Sequence, residues 1–219
     1  MKDIRQRILN MLLFKGITEK QVMPMLKCLG SRVQDFKKGQ FIYLDRDNIT
    51  CIGIILSGTV QMIKEDIWGD KTILVVMKTG ELFGETFACG TSLASTVTFY
   101  TPENTEVLFL PFYKVLHSCD RNCQFHQQLV ENMVTLIARK NAQLMEKADV
   151  TSKKTLRKKI LTFLSHEAQH HHDKHFTISI SRTELAEYLS ADRTALAREL
   201  NHMKEEGLID MNRNSFTIF

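Results

Sequence analysis

The sequence predicts an α+β fold laid out in three successive regimes, and three observations carry that prediction. Between Phe36 and Pro111, short β-rich runs (FIYL, CIGIILS, TVQMIKE, KTILVVM, STVTFY, EVLFLP) alternate with turn segments such as KKG, DRDN, SGT, WGDK and KTGE. Strand-length runs broken by glycine-bearing turns read as an antiparallel sandwich or barrel. Between Asp120 and Ala148 there is neither Gly nor Pro, as one long helix requires. From Thr151 onward a compact helical unit ends in a pair of strands. Ahead of the first regime, Ile4, Ile8 and Leu12 stand at helical spacing, and a second short helix is expected after Thr18.

Composition narrows the class. The chain has 219 residues, 29 Lys plus Arg against 25 Asp plus Glu, and 43% hydrophobic residues. That length supports one or two domains with real cores, and 10 Gly with 3 Pro exclude collagen-like or low-complexity chains. The longest uncharged stretch, Thr86 to Pro102, is too rich in Ser and Thr to span a membrane. The opening residues are charged at Lys2, Asp3, Arg5 and Arg7 and carry no apolar signal core, so a soluble cytoplasmic protein is predicted. Five scattered cysteines (Cys28, Cys51, Cys89, Cys119, Cys123) fit a reducing compartment rather than a disulfide framework. A net charge of +4 announces no nucleic-acid partner, but residues 139–159 hold eight Lys or Arg against two acids. Such a run is ordinarily a solvated helix face, and it gains meaning only beside a segment able to read DNA.

The long helix carries an interface pattern. Val130, Val134, Ile137, Asn141, Leu144 and Ala148 follow in alternating steps of four and three, the 3.5-residue period of a two-helix seam. This predicts a homodimer, with Asn141 as a buried polar residue that fixes register at some cost in stability. A second stripe, Leu129, Met133 and Leu136, is placed to pack back on the β-rich unit. The competing reading is a core helix inside one subunit.

The strongest chemistry lies near the C-terminus. Ser181-Arg182-Thr183-Glu184 fits a capping box, opening a helix to about Leu189 that buries Leu185, Tyr188 and Leu189. Ser190-Ala191-Asp192 is a tight connection, with Asp192 placed to cap a second helix from Arg193 to about Glu206. On that helix Leu196, Leu200 and Met203 share one face, and Thr194, Arg198 and Asn201 lie opposite with Arg193 in the first turn. An outward Arg near a helix N-terminus suits a major groove, where it bonds both acceptors of a guanine. Gly207 ends the helix, and the segments around Asn212-Arg213-Asn214 form a hairpin. HEAQHHHDKHF is expected to break the preceding helix, and TISI to form a short strand. The segment reads as a winged helix-turn-helix.

The whole chain resembles the Crp/Fnr family of bacterial transcription regulators. The match rests on Lys38-Gly39, Leu56-Ser57-Gly58-Thr59-Val60, Trp68-Gly69-Asp70-Lys71, Thr79-Gly80-Glu81-Leu82-Phe83-Gly84-Glu85 and Ser181 to Ile209. The resemblance implies a double-stranded, jelly-roll-like β-roll sensor over residues 1–118, a dimerisation helix over 119–149 and a DNA-binding winged helix over 150–219. It implies a homodimer on a palindromic double-stranded DNA site, with half-sites about one helical turn apart. By the same resemblance Arg193 and Arg198 contact bases and Arg182 and Thr183 touch phosphate, with Thr194, Ala195 and Asn201 completing the DNA-facing set. Thr194 replaces a frequent acidic residue, which implies a different half-site. Ser190 stands where many such motifs keep Gly. RNA polymerase is a further partner if the protein activates.

The sensor departs from the cyclic-nucleotide pattern. The resemblance maps the effector pocket to Phe83, Gly84, Glu85, Thr86, Ala94, Ser95 and Thr96. The Arg-Ser pair that binds the cyclic phosphate in responsive relatives is absent from Ser92-Leu93-Ala94-Ser95-Thr96, and no Arg or Lys lies between Lys78 and Lys114. An unpaired buried anion costs several kcal/mol, so a small-molecule or redox signal other than cyclic AMP or cyclic GMP is predicted. Only Cys28 precedes residue 50, against the clustered N-terminal cysteines of iron–sulfur relatives. Cys119 and Cys123, and the patch His166, His170, His171, His172 and His175, are open to a redox or metal role, with buried thiols and a solvated helix end as the commoner readings of such residues. No His lies between Phe36 and Pro111, which weakens haem ligation there. No metal site is predicted, and the cofactor is left unassigned. No nucleophile–base or phosphate-cradling motif supports an enzyme. The other class left open is a ligand-binding interaction module whose winged helix contacts protein.

Overall fold

The computed structural model describes residues 2–89, 94–117 and 124–219 and divides into two compact units, Met1–Leu136 and Ile137–Phe219. In the first unit, helices α1 (Lys2–Leu9) and α2 (Glu19–Leu29) flank a single 3₁₀ turn, Leu12–Phe14. Strands β1 (Arg32–Phe36), β2 (Phe41–Tyr43), β3 (Cys51–Ser57), β4 (Thr59–Glu65), β5 (Lys71–Lys78) and β6 (Leu82–Phe83) follow. Helix α3 (Glu85–Ala88), strands β7 (Thr98–Tyr100) and β8 (Thr105–Pro111), and helix α4 (Phe112–Leu116) complete the roll before α5 (Gln124–Thr151). The strands form two antiparallel four-stranded sheets, ordered β1-β8-β3-β6 and β2-β7-β4-β5.

Two glycines shape this roll. Gly58, in the β3–β4 turn, has φ +83°, and a Cβ there would meet the Asn104 carbonyl oxygen at 2.5 Å. Gly53, in the middle of β3, faces Phe83, and a Cβ would stand 2.2 Å from that ring. The missing side chain is what lets Phe83 enter the interior. There it packs with Phe99 at 5.3 Å and Phe109 at 6.2 Å between ring centroids. Phe36, Tyr43 and Phe87 extend the cluster through edge-on contacts, and Ile49, Ile55, Val60, Met77, Val97 and Val107 fill around it. By contrast β5 is an edge strand that leaves Ile73, Leu74, Val75 and Val76 exposed.

Helix α5 is one continuous helix, as the absence of Gly and Pro predicts. Leu129 and Met133, within the first unit, are buried, and Leu136 is half-buried. Two polar side chains that sequence reading passed over fix this end. The His126 Nε2 lies 3.0 Å from the Lys114 carbonyl oxygen and 3.1 Å from that of Val115. Asn132 donates to the carbonyls of Leu13 at 2.9 Å and Lys15 at 2.7 Å.

In the second unit, α6 (Leu156–His171), β9 (His175–Thr177), α7 (Arg182–Tyr188), α8 (Arg193–Glu205), β10 (Ile209–Asn212) and β11 (Ser215–Ile218) follow the C-terminal part of α5. Leu164, Leu185, Leu196, Leu200, Met203 and Phe216 are central to its core. Two expectations are corrected. The helix runs through HEAQHH and ends only at His172, a non-glycine residue at φ +52° whose amide closes the last turn on Gln169. The strand is His175–Thr177 rather than TISI, because the Ile178 amide leaves the ladder to bond the Asn214 carbonyl. The sheet order is β10-β11-β9, so the terminal hairpin gains a third strand.

Candidate nucleic-acid interface and sensor region

The helix-turn-helix is built from the chemistry of its caps. Ser181 accepts from the Glu184 amide at 3.2 Å, and the Glu184 carboxylate receives the Ser181 amide at 2.7 Å. Asp192 accepts from the Thr194 and Ala195 amides at 2.8 and 2.9 Å, which holds its carboxyl below the usual range, the Ala195 bond being the larger cause. Ser190 takes the left-handed conformation expected of a glycine position, with φ +50°. The two helices then meet through Leu185, Leu189, Leu196 and Leu200, all buried.

The outer face of α8 is free for a partner. Arg193, Thr194, Arg198 and Asn201 are exposed and Ala195 is half-buried, while Leu196, Leu200 and Met203 are sealed beneath them. Behind the helix, Arg157 of α6 donates to Glu199 at 2.6 Å and makes a two-point contact with Glu206 at 2.7 and 2.8 Å. These bonds depress the Glu206 carboxyl and raise the guanidinium pKa further, so both stay charged across the working range. Planar two-point pairing of this kind fixes orientation as well as charge.

That network changes the meaning of the basic run. Arg157 is neutralised on α8, Lys153 is 2.7 Å from Asp149, Lys159 donates to the Leu189 carbonyl at 3.0 Å, and Lys147 lies 5.7 Å over the Tyr188 ring. Much of the run therefore fastens the winged unit internally; Arg139, Lys154 and Lys158 are exposed.

Of the two residues matched to phosphate contacts, Thr183 is exposed and Arg182 is half-buried. The Arg182 guanidinium lies 4.5 Å from the centroid of Phe216 and donates to the Arg213 carbonyl in the β10–β11 turn. Desolvation lowers its pKa.

The seam on α5 is largely uncovered. Val134 is 57% and Leu144 61% exposed, Asn141 and Ala148 are exposed, and Val130 and Ile137 are half-buried. The stripe beside it is occupied, so the helix has one face spent and one open.

The seven residues of the mapped effector pocket divide between packing and surface. Phe83 is buried in the aromatic cluster, Gly84 starts α3 at φ +78°, and Glu85 is buried. The Ser95 hydroxyl donates to the Val97 carbonyl at 2.7 Å, and its backbone bonds Arg46 and Asp47 at 2.7 and 2.9 Å. Thr86, Ala94 and Thr96 are exposed. Ser92 and Leu93 lie outside the described residues, as do Cys119 and Cys123. The backbone bond to Ser95 brings Arg46, 90% exposed at its side chain, to a stretch that holds no cation in sequence. A separate cavity of about 470 Å³ opens between Met11, Leu12, Leu56 and Gly80 and shares no residue with the mapped pocket.

The histidine patch finds carboxylates that sequence spacing did not reveal. His166 is 3.2 Å from Asp149, and His170 is 3.0 Å from Glu146, both acids on α5. Among the described residues no three of His, Cys, Asp and Glu converge to hold a metal ion. Cys28, Cys51 and Cys89 are free thiols, and desolvation raises that of Cys89. Among the described residues no helix is long and apolar enough to cross a membrane.

Comparison with known proteins agrees with this geometry. Residues 33–122 match the family model described as the cyclic nucleotide-binding domain, and residues 158–219 match the Crp-like helix-turn-helix domain. No curated protein sequence matches the chain. Among solved structures, a complex of CprK with OCPA aligns with TM-score 0.59 at 14% identity, covering 90% of this chain and 88% of that one. The c-di-GMP responsive global regulator CLP from Xanthomonas campestris aligns with TM-score 0.56 at 16% identity, covering 90% and 99%. The sensor domain of the transcriptional regulator DNR from Pseudomonas aeruginosa aligns with TM-score 0.51 at 17% identity, covering 71% and 99%. At these identities the likeness concerns the fold.

Proposed function

The chain belongs to the Crp/Fnr family of transcription regulators, and we propose that it works as a cytoplasmic homodimer reading a palindromic double-stranded DNA site. The observation that carries this reading is α8. Its apolar face is sealed and braced by Arg157, and its opposite face offers Arg193, Thr194, Arg198 and Asn201 to a partner. Arg193 and Arg198 are the base-reading pair, each suited to the two acceptors of a guanine. Thr194, Ala195 and Asn201 complete the groove-facing surface, and Thr183 approaches phosphate.

Dimerisation is assigned to Val130, Val134, Ile137, Asn141 and Leu144, because that seam is apolar but for Asn141, periodic at 3.5 residues and largely uncovered. Residues 1–118 serve as the sensing domain, 119–149 as the dimerisation helix and 150–219 as the DNA-binding domain. The signal is a small molecule or redox input other than cyclic AMP, acting at the surface formed by Thr86, Ala94, Thr96 and their buried neighbours Phe83, Gly84, Glu85 and Ser95. Relatives of this fold are described with different ligands, c-di-GMP for one and OCPA for another, so the fold leaves the effector open. A signal acts by binding unequally to two dimer geometries that differ in DNA affinity. An activating role would add RNA polymerase as a partner.

Selection of duplexes from a random library, with the full-length chain and with Arg193→Ala and Arg198→Ala variants, tests the reading. Enrichment of a palindrome that weakens in the variants is expected. A winged helix that contacts protein instead would enrich nothing.

A further inference from the structure

Arg182 occupies the first position of α7, where a cation would ordinarily reach a DNA phosphate, yet its guanidinium is turned onto the wing. It stacks on Phe216, donates from Nη2 to the Arg213 carbonyl, and lies 3.6 Å from the Met211 Sδ. Its Nη1 is buried without a hydrogen-bond partner, so that edge of the guanidinium is already out of contact with solvent. All three contacts are to β10, β11 or the turn between them.

The turn itself needs fastening. Arg213 sits at φ +51°, a left-handed conformation that a non-glycine residue holds only when its surroundings determine it. Its carbonyl is held by Arg182, and the next carbonyl, that of Asn214, is held by the Ile178 amide at 2.9 Å. With both carbonyls tied inward, the Arg213 side chain is left exposed beside a polar hollow lined by Thr177, Asn212 and Ser215.

We propose that Arg182 is a positioning residue for the wing, acting on DNA through Arg213, and that Arg213 is the residue that touches phosphate. The inference rests on the DNA-reading function proposed above. A phosphate partner must give up part of its hydration to bind, and Arg182 has instead committed its planar face and one edge to the protein. An exposed Arg on a rigid turn keeps its charge available at little conformational cost.

The test uses the full-length chain and its selected duplex, with affinity measured across a salt series for wild type, Arg182→Ala, Arg182→Lys, Arg213→Ala and the Arg182→Ala/Arg213→Ala double variant. Each phosphate contact contributes about 0.9 to the salt slope, or about fivefold in affinity near 0.15 M salt. Arg213→Ala is expected to lower the slope by that amount per half-site. Arg182→Ala should weaken binding to a similar degree, the double variant should bind no worse than Arg213→Ala, and Arg182→Lys should fail to restore binding because an ammonium cannot stack and bond in the same plane. Thermal unfolding of each variant checks the fold; if Arg182→Ala does not fold, Arg182→Lys carries the comparison. Additive losses with a second drop in slope, or rescue by Lys, would overturn the inference while leaving DNA reading intact. A wild-type chain that selects no duplex overturns both.

Discussion

The two units are stabilised by different means, and the contrast says where each is open to a partner. The β-roll is held by an aromatic interior: Phe83 enters because Gly53 has no side chain, and Phe36, Tyr43, Phe99 and Phe109 close around it. Its interior is occupied by its own side chains. The winged unit has an apolar core of similar kind, and charge pairs tie α8 to its neighbours, with Arg157 of α6 on Glu199 and Glu206 and Lys204 on Asp210 of β10 at 2.7 Å. The Arg157 and Lys204 pairs hold α8 to α6 and β10 and leave Arg193, Thr194, Arg198 and Asn201 exposed. A braced element with one free polar face suits the proposed reading of DNA, whereas a filled roll leaves its rim as the surface for the proposed signal.

The comparison can be broken most forcefully at the cores. Leu200→Ala removes a side chain buried between α7 and α8 and is expected to cost about 2–5 kcal/mol, with amide exchange accelerated throughout β10 and β11 and little changed in β3 and β8. Gly53→Ala should do the reverse. Its Cβ collides with the Phe83 ring, and overpacking costs about 1–3 kcal/mol, read as faster exchange in β3, β6 and β8 with the winged unit unaffected. If either substitution loosens both units equally, the division between them is wrong.

At the interface the effect is smaller and selective. Arg198→Ala is expected to lose about 1–3 kcal/mol of DNA affinity and to relax base preference at one position of each half-site, with thermal stability unchanged. Leu144→Glu, on the exposed seam, should shift the chain toward monomer in sedimentation at micromolar concentration and weaken DNA binding through lost dimer.

A pH series sharpens the contrast most gently. Asp149, Asp192, Glu206 and Asp210 are all depressed, first by a hydrogen bond in each case, and all four belong to the winged unit. A carboxyl whose folded pKa is below its unfolded value stabilises the fold above that unfolded value and ceases to do so as pH falls through the folded one. The winged unit is therefore expected to lose stability first on acidification below the ordinary carboxylate range. In alkali, burial pushes the Tyr43 hydroxyl of the roll up to about 12. That contribution is present below the ordinary tyrosine value and is lost as pH rises toward 12. Tyr188 of the winged unit is also raised by burial, so the alkaline limb separates the units less than the acid one. Residue-resolved exchange at low pH that weakens the roll first would contradict the assignment.

What the sequence made legible was the chemistry of neighbours. Ser181 with Glu184, and Asp192 ahead of α8, are separated by two or three residues, and their bonds form as spacing predicts. The seam and the stripe on α5 follow from helical period alone, and exposed Val134 beside buried Met133 separates them. What stayed hidden depends on distant partners. Nothing local joins Gly53 to Phe83, Asn132 to Leu13, or His170 to Glu146, and a run of histidines has no apolar period by which to see that α6 continues through it. The direction of Arg182 is a tertiary fact of the same sort, because its partners are about thirty residues away on the wing.

The most direct test of base reading by α8 pairs the residue with the base. Affinities of wild type and Arg198→Ala are measured for the selected duplex and for duplexes changed at each half-site position in turn. One position is expected at which wild type discriminates by about 1–3 kcal/mol and the variant does not discriminate at all. A variant that keeps the full wild-type discrimination at every position would contradict the account.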